Sequence, residues 1–296
     1  MIKQFLLTTF FCCTALSTFA ACKGLETNLQ DNDVDYRQTA RQNFEAGEAA
    51  FEDGDYEDAA LFFGYVKNKF PYSKYSALAE LRMADANFEQ EKWLEAADAY
   101  RLFIRFHPRH EKVSYASFRI ALAFWRETSG APNDTFPIMD TIEETFSPFP
   151  PSHERDLSAT RDAIASFNEF ILRHPEDENI EEAKRLRREA RTVLAEHEMS
   201  VALFYIQRNR WQGALWRYET VANAYEDTPQ APEAMMRGAE IAAEELSDPD
   251  TAKRLYARLI KVHPESSQAA DAKTFLKELE SNTPPEQPAP KETTAN

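Results

Sequence analysis

Glycine is scarce in this chain, with 7 in 296 residues, where average usage is about 7%. So few cannot supply phosphate-cradling loops or dinucleotide fingerprints, and they disfavour a β-rich fold with its many tight turns. No Gly-x-Ser-x-Gly nucleophile elbow is present either. Cysteine is almost missing, and cationic side chains are the third deficit. Lys and Arg number 34 against 50 Asp and Glu, a formal charge of −16. Without an N-terminal leader that contains only Lys3, the balance is 33 against 50, or −17. Such a surface repels nucleic acid and anionic lipid. What remains is 43% apolar residues, enough for a core, and helix is the expected state throughout.

Residues 1–21 run from Lys3 through an apolar stretch to Ala20 and Ala21, the pattern of a secretory leader. Thr8, Thr9, Thr14, Ser17 and Thr18 interrupt the stretch, which disfavours a spanning helix of about 20 apolar residues. Phe19-Ala20-Ala21-Cys22 resembles the lipobox of bacterial lipoproteins, with Phe19 where Leu is usual. Cys12 and Cys13 lie inside the leader, so Cys22 is the one cysteine of the mature chain and cannot form an internal disulfide. Lipidation of Cys22 is the expectation; a plain cleaved leader beside an incidental cysteine is the alternative. Lys23, rather than Asp, is compatible by the same resemblance with sorting to the outer membrane.

Four prolines mark an internal period: Pro71, Pro108, Pro175 and Pro264. Twelve, eight and five residues before them stand Ala59, Phe63, Val66; Ala96, Tyr100, Phe103; Ala163, Phe167, Phe170; and Ala252, Tyr256, Leu259. Ala214, Tyr218 and Val221 form a fifth copy, with Glu226 in place of proline. These offsets lie along one stripe of a helix, and proline disfavours helical geometry in the residue before it. The small residue lets a paired helix approach and the aromatic fills the gap. Ala46-Gly47 and Met83-Ala84 are the small contacts of preceding helices, and Gly54-Asp55-Tyr56 and Glu91-Lys92-Trp93 make the intervening turns. This is the tetratricopeptide (TPR) arrangement, so the expected fold is an all-α TPR solenoid of about five helix-turn-helix repeats.

Successive alanines are 37, 67, 51 and 38 residues apart. The long intervals imply a proline-rich inserted loop at 128–152 and an extended helix from about Asn179 to Gln207, with Asp177 able to cap it. The expected organisation is a signal peptide at 1–21, an acylated tether at 22–36 and N-terminal repeats 1–3 at 37–175. C-terminal repeats 4–5 follow at 176–280, and a disordered proline-rich tail at 281–296.

Nothing in the pattern requires catalysis, a cofactor or a metal. His107, His174 and His263 share one repeat position and read as capping or packing residues. The first helices of TPR repeats line a concave face. Phe44, Glu48, Phe51 and Glu52, then Leu81, Asp85, Phe88 and Glu89, then Tyr115, Phe118, Leu122 and Trp125 are expected there. They would form an aromatic, acidic peptide-binding trough unless the rings simply pack between helices.

From about Arg37 to Ala269 the chain resembles the BamD (ComL-like) family of TPR lipoproteins of the outer-membrane β-barrel assembly machinery. The residues carrying the likeness are Phe70-Pro71-Tyr72-Ser73-Lys74-Tyr75-Ser76, Phe103-Ile104-Arg105-Phe106-His107-Pro108-Arg109-His110, Glu154-Arg155-Asp156, and Glu198-Met199-Ser200-Val201-Ala202 before Tyr205 and Trp211. The resemblance implies a non-enzymatic protein, lipid-anchored in the outer membrane and facing the periplasm. Its C-terminal repeats would dock on the POTRA repeats of the barrel subunit BamA. Its groove would receive the aromatic-ended C-terminal strand of unfolded outer-membrane proteins, beside other assembly-machinery lipoproteins. Membrane contact would be through the acyl chains alone, with no nucleic acid partner. Arg217, in the segment Trp211 to Tyr218, aligns with the family's BamA-contacting arginine. Its helical neighbours Gly213, Ala214, Thr220 and Val221 offer no carboxylate, so it is expected to be unpaired and available. The alternative is a TPR scaffold organising peptidoglycan enzymes or other envelope complexes.

Overall fold

A computed structural model describes residues 36–129 and 157–281. The expected signal peptide, the tether as far as Asp35, most of the 128–152 insertion and the tail after Ser281 lie outside them. The described residues contain eleven α-helices and no strand. They are α1 (Ala40–Glu52), α2 (Tyr56–Lys69), α3 (Lys74–Glu89), α4 (Trp93–Phe106), α5 (Val113–Ser129), α6 (Ser158–Arg173), α7 (Ile180–Ile206), α8 (Trp211–Ala224), α9 (Ala231–Glu244), α10 (Pro249–Val262) and α11 (Gln268–Ser281). Each helix packs on the next in sequence, so α1/α2, α3/α4, α5/α6, α7/α8 and α9/α10 are the five repeats. α11 follows as a further helix against α10 and α9.

The small-aromatic triplet is the core of each repeat. Ala59, Phe63, Val66, Ala96, Tyr100, Phe103, Ala163, Phe167, Phe170, Ala214, Tyr218, Val221, Ala252, Tyr256 and Leu259 are all buried. Gly47 shows how tight the fit is: a Cβ there would lie 2.7 Å from the ring of Phe63. Gly213 meets Tyr205 in the same way, at 2.9 Å.

Every second helix ends two residues before the expected proline position, with its C-cap one residue before it. The N–H of Phe70, His107, His174, Tyr225 and His263 donates to the carbonyl four residues back. The carbonyl of each of these residues then accepts an N–H from three residues ahead, that of Ser73, His110, Asp177, Thr228 and Ser266. α8 stops here although Glu226 replaces the proline, so this returning turn ends the helix without it. The turn inside repeats one, two, four and five recurs too. Gly54, Glu91, Asn209 and Ser247, each five residues before the buried alanine, have φ of 85°, 60°, 53° and 54°. The next N–H reaches back to Ala50, Asn87, Tyr205 and Ala242, the left-handed helix end that glycine adopts without strain.

One expected boundary shifts. α5 continues through Thr128 to Ser129, so the insertion begins later than expected. The 27-residue α7, about 40 Å long, lies wholly beyond the division expected at 175/176 but packs into the cores on both sides of it. Its Ala183 and Leu186 join the core of repeats two and three, and its Ala195 and Ala202 join that of repeats four and five. Asp177 accepts from the N–H of Asn179 and therefore holds the residue before the helix, not its first turn.

Two glycine variants separate space from strain. Gly54 has open space around its Cβ position, so Gly54→Ala should cost about 1 kcal/mol from left-handed strain alone. Gly47→Ala should cost about 1–3 kcal/mol by overpacking Phe63. Urea unfolding of both, with Phe63→Leu rescuing only Gly47→Ala, is the check.

Candidate functional site

The first helices α1, α3 and α5 lie side by side, and their flanks carry a polar network that runs through three repeats. Arg82 on α3 donates to both carboxylate oxygens of Glu48 on α1, at 2.7 and 2.9 Å, and to Asp85 at 3.0 Å. Asp85, only 3% exposed, also accepts from the hydroxyls of Tyr100 on α4 at 2.5 Å and Tyr115 on α5 at 2.9 Å. Arg119 on α5 closes the network, donating to Tyr100 Oη at 3.0 Å and to Glu89 at 2.9 Å.

Burial, reinforced by the Asp85 carboxylate and opposed by Arg119, pushes the hydroxyls of Tyr100 and Tyr115 well above the ordinary phenol range. Both remain protonated donors. Burial works against the charge of Arg119, but its hydrogen bonds to Tyr100 and Glu89 and the field of Tyr100 and Tyr115 raise its pKa overall. A buried carboxylate is tolerated only when it is paired and hydrogen-bonded, and Asp85 has three partners.

The same two arginines cover the rings expected to line the trough. Arg82 lies 4.0 Å above Phe51 and Arg119 3.6 Å above Phe88, within cation–π range. Phe88, 5% exposed, packs also against Trp93, and Phe118, 9% exposed, lies between α5 and α6 against Phe167 and Phe170. Phe88 and Phe118 are therefore core residues and not open contacts. Phe44 is half-buried against Phe63 and Tyr75, and Tyr115 is committed to Asp85. The physical reason is that neighbouring first helices pack flank to flank, so rings on the flanks meet protein. The expected aromatic and acidic trough is in fact threaded with arginines.

Trp125 is the remaining anchor. Half-buried, it lines a cleft of about 460 Å³ with Arg185, Arg188, Glu189, Thr192 and Val193 of α7 and with Pro229. Arg185 is held by Glu182 and Glu189. The cleft thus joins an apolar wall to two guanidinium groups.

Arg217 on α8 is also placed differently from the expectation. Its Nη1 donates to Glu198 Oε2 of α7 at 2.9 Å, and that bond, opposed by burial, raises its pKa. The pairing spans 19 residues and cannot be seen from neighbours along one helix. Arg217 keeps 40% of its side chain exposed, so a partner would share or displace Glu198. The histidines His107, His174 and His263 sit at the C-caps of α4, α6 and α10.

Sequence reasoning missed the roles of Arg82, Arg119 and Tyr100. A signal was available: Arg82 and Arg119 are 37 residues apart, as are Phe51 and Phe88, so each arginine meets the aromatic of the repeat before it.

Comparison with known proteins follows the same architecture. A family model described as an outer membrane lipoprotein (YfiO) matches residues 36–248, and a tetratricopeptide repeat model matches residues 233–266. The chain is 26% identical over 217 residues to an outer membrane protein assembly factor BamD of Xylella fastidiosa, covering 73% of this chain and 69% of that one. It is 25% identical over 229 residues to the BamD of Pasteurella multocida, covering 74% and 81%. With the BamD of Neisseria meningitidis serogroup A it shares 23% over 233 residues, covering 79% and 82%.

Asp85→Ala should destabilise the fold by about 3 kcal/mol or more, because Arg82, Tyr100 and Tyr115 lose their common acceptor. Tyr115→Phe removes one bond and should cost about 1–2 kcal/mol. Denaturant unfolding would measure both, and equal losses would show that Asp85 is not the hub.

Proposed function

We propose, from the premise that the chain belongs to the YfiO family of outer membrane lipoproteins, that it is a non-enzymatic subunit of the machinery that assembles outer-membrane proteins. Acyl chains on Cys22 hold it on the periplasmic side of the outer membrane. The C-terminal repeats dock on the POTRA repeats of BamA, with Arg217 at the contact, and the N-terminal repeats receive client chains. The observation that carries this reading is the extent of the family match, which enters at Tyr36 and continues through four repeats into the fifth.

Two points of geometry reshape the docking reading. Arg217, bonded to Glu198, keeps 40% of its side chain exposed, so an acidic partner can share the guanidinium. With Phe88 and Phe118 buried and Phe51 beneath Arg82, the client surface narrows to the Trp125 cleft. There the apolar wall suits a terminal aromatic ring, while Arg185 and Arg188 suit its carboxylate.

The deciding experiment is recovery of the acylated protein from membranes: co-purification of BamA supports the reading, and co-purification of wall enzymes instead overturns it. Against purified POTRA repeats, Arg217→Glu should weaken binding by about 2 kcal/mol or more. Glu198→Gln, which frees the guanidinium, should preserve or tighten it. Thermal melts control for folding, and equal affinities of wild type and Arg217→Glu would end the Arg217 assignment. In cell fractionation, Cys22→Ser should move the protein to the soluble fraction, since several acyl chains are needed for a persistent anchor. Retention in the membrane of cells depleted of BamA would refute acylation at Cys22.

A further inference from the structure

The repeats serve as controls for one another on their outer faces. Positions two before and six and ten after the buried alanine lie on a single outward stripe of each second helix. In α4 these are Leu94, Leu102 and Phe106, which are 49%, 46% and 66% exposed. At one or more of these positions the other second helices carry polar or charged residues: Glu57 and Lys69 in α2, Arg161 and Arg173 in α6, Thr220 in α8, Asp250 and Arg258 in α10. Of the five second helices, only α4 is apolar at all three. Exposed Arg101 and Arg105 flank its stripe.

The N-terminal end of the described chain lies on the same side of the solenoid. Tyr36 stacks on Tyr65 of α2 at 4.2 Å and meets Phe62 edge-on at 5.9 Å, one repeat from the α4 stripe. Residues 23–35 separate Tyr36 from Cys22 and can span at most about 45 Å. A body held at Cys22 therefore keeps this stripe within reach of the bilayer surface. One stripe on a 14-residue helix is small against the roughly 800 Å² per partner of a stable protein interface. It is enough, however, to orient a body already tethered, because the anchor supplies the effective concentration.

We propose that the outer face of α4 is a phospholipid-contact surface. Leu94, Leu102 and Phe106 enter the interfacial zone, with Arg101 and Arg105 at headgroup level, the side-chain pattern of an interfacial helix. The proposal rests on the acyl anchor at Cys22. The body as a whole, at −16 or lower, is repelled by anionic lipid, so contact is confined to this face and sets which way the solenoid points.

The test uses the full acylated chain in vesicles of phosphatidylethanolamine and phosphatidylglycerol. Acylation consumes Cys22, so Phe106→Cys carries a single environment-sensitive fluorophore. Its emission should shift to the blue and be quenched at least twofold by brominated acyl chains. The same label at Leu172→Cys, outward on α6, should remain solvent-like. Adding Leu102→Asp, with a thermal melt to confirm folding, should return the Phe106→Cys label to solvent-like emission. Equal, solvent-like behaviour of the two labelled sites overturns the proposal. So does shielding of the label in the soluble Cys22→Ser chain, whether it grows with protein concentration, which assigns the face to a second copy, or vanishes on deleting residues 24–35, which assigns it to the tether. Failure of the anchor itself is read separately, by fractionation of Cys22→Ser.

Discussion

Two helices of a repeat can lie close enough to exclude water only where one offers a hydrogen or a methyl group and the other an aromatic ring. Gly47 beneath Phe63 is the tightest example, and Gly213 against the ring of Tyr205 repeats it in the fourth repeat. Because each helix touches chiefly its sequence neighbours, stability is close to a sum of such local contacts. The rest of the structure follows from that geometry. It determines which flank of each first helix meets the next repeat, and so which side chains are covered and which are left to partners.

Between the first helices of repeats one to three the consequence is a ladder of charge. Side-by-side first helices bring Glu48, Arg82, Asp85, Arg119 and Glu89 into one connected array, with the hydroxyls of Tyr100 and Tyr115 bonded to its centre. The arginines do two things at once. They neutralise carboxylates in an acidic chain and they shield the rings of Phe51 and Phe88. A partially buried network of this kind makes the relative placement of three repeats specific, since any slip would leave a charge without its partner. α7 does the corresponding work between the halves, contributing to two hydrophobic clusters along one continuous helix. The ladder stops at the Trp125 cleft, where an apolar wall meets Arg185 and Arg188.

The second helices turn one stripe outward, and there the repeats differ from one another. The alanine, aromatic and apolar triplet faces inward in all five, so the outer residues vary without affecting packing. Leu94, Leu102 and Phe106 on α4, and Trp216, 63% exposed on α8, stand out for that reason.

Much of the architecture was legible in the residues. The periodic triplet marked five repeats, and the helix ends fell beside the prolines because local backbone chemistry repeats wherever the local sequence does. Glu226 shows the limit of that logic: the turn closes on Tyr225 and Thr228 without proline. Contacts between repeats were less legible. Spacing along one helix could not show Glu198 beside Arg217, 19 residues away, nor Phe118 enclosed by Phe167 and Phe170. The sequence by itself determined the secondary structure, the repeat, the identity of the core triplet and the charge, because each depends on residues a few positions apart. Only the tertiary structure decided which aromatics are covered, which charges are paired and which faces stay open, because those depend on how far one helix lies from another in space.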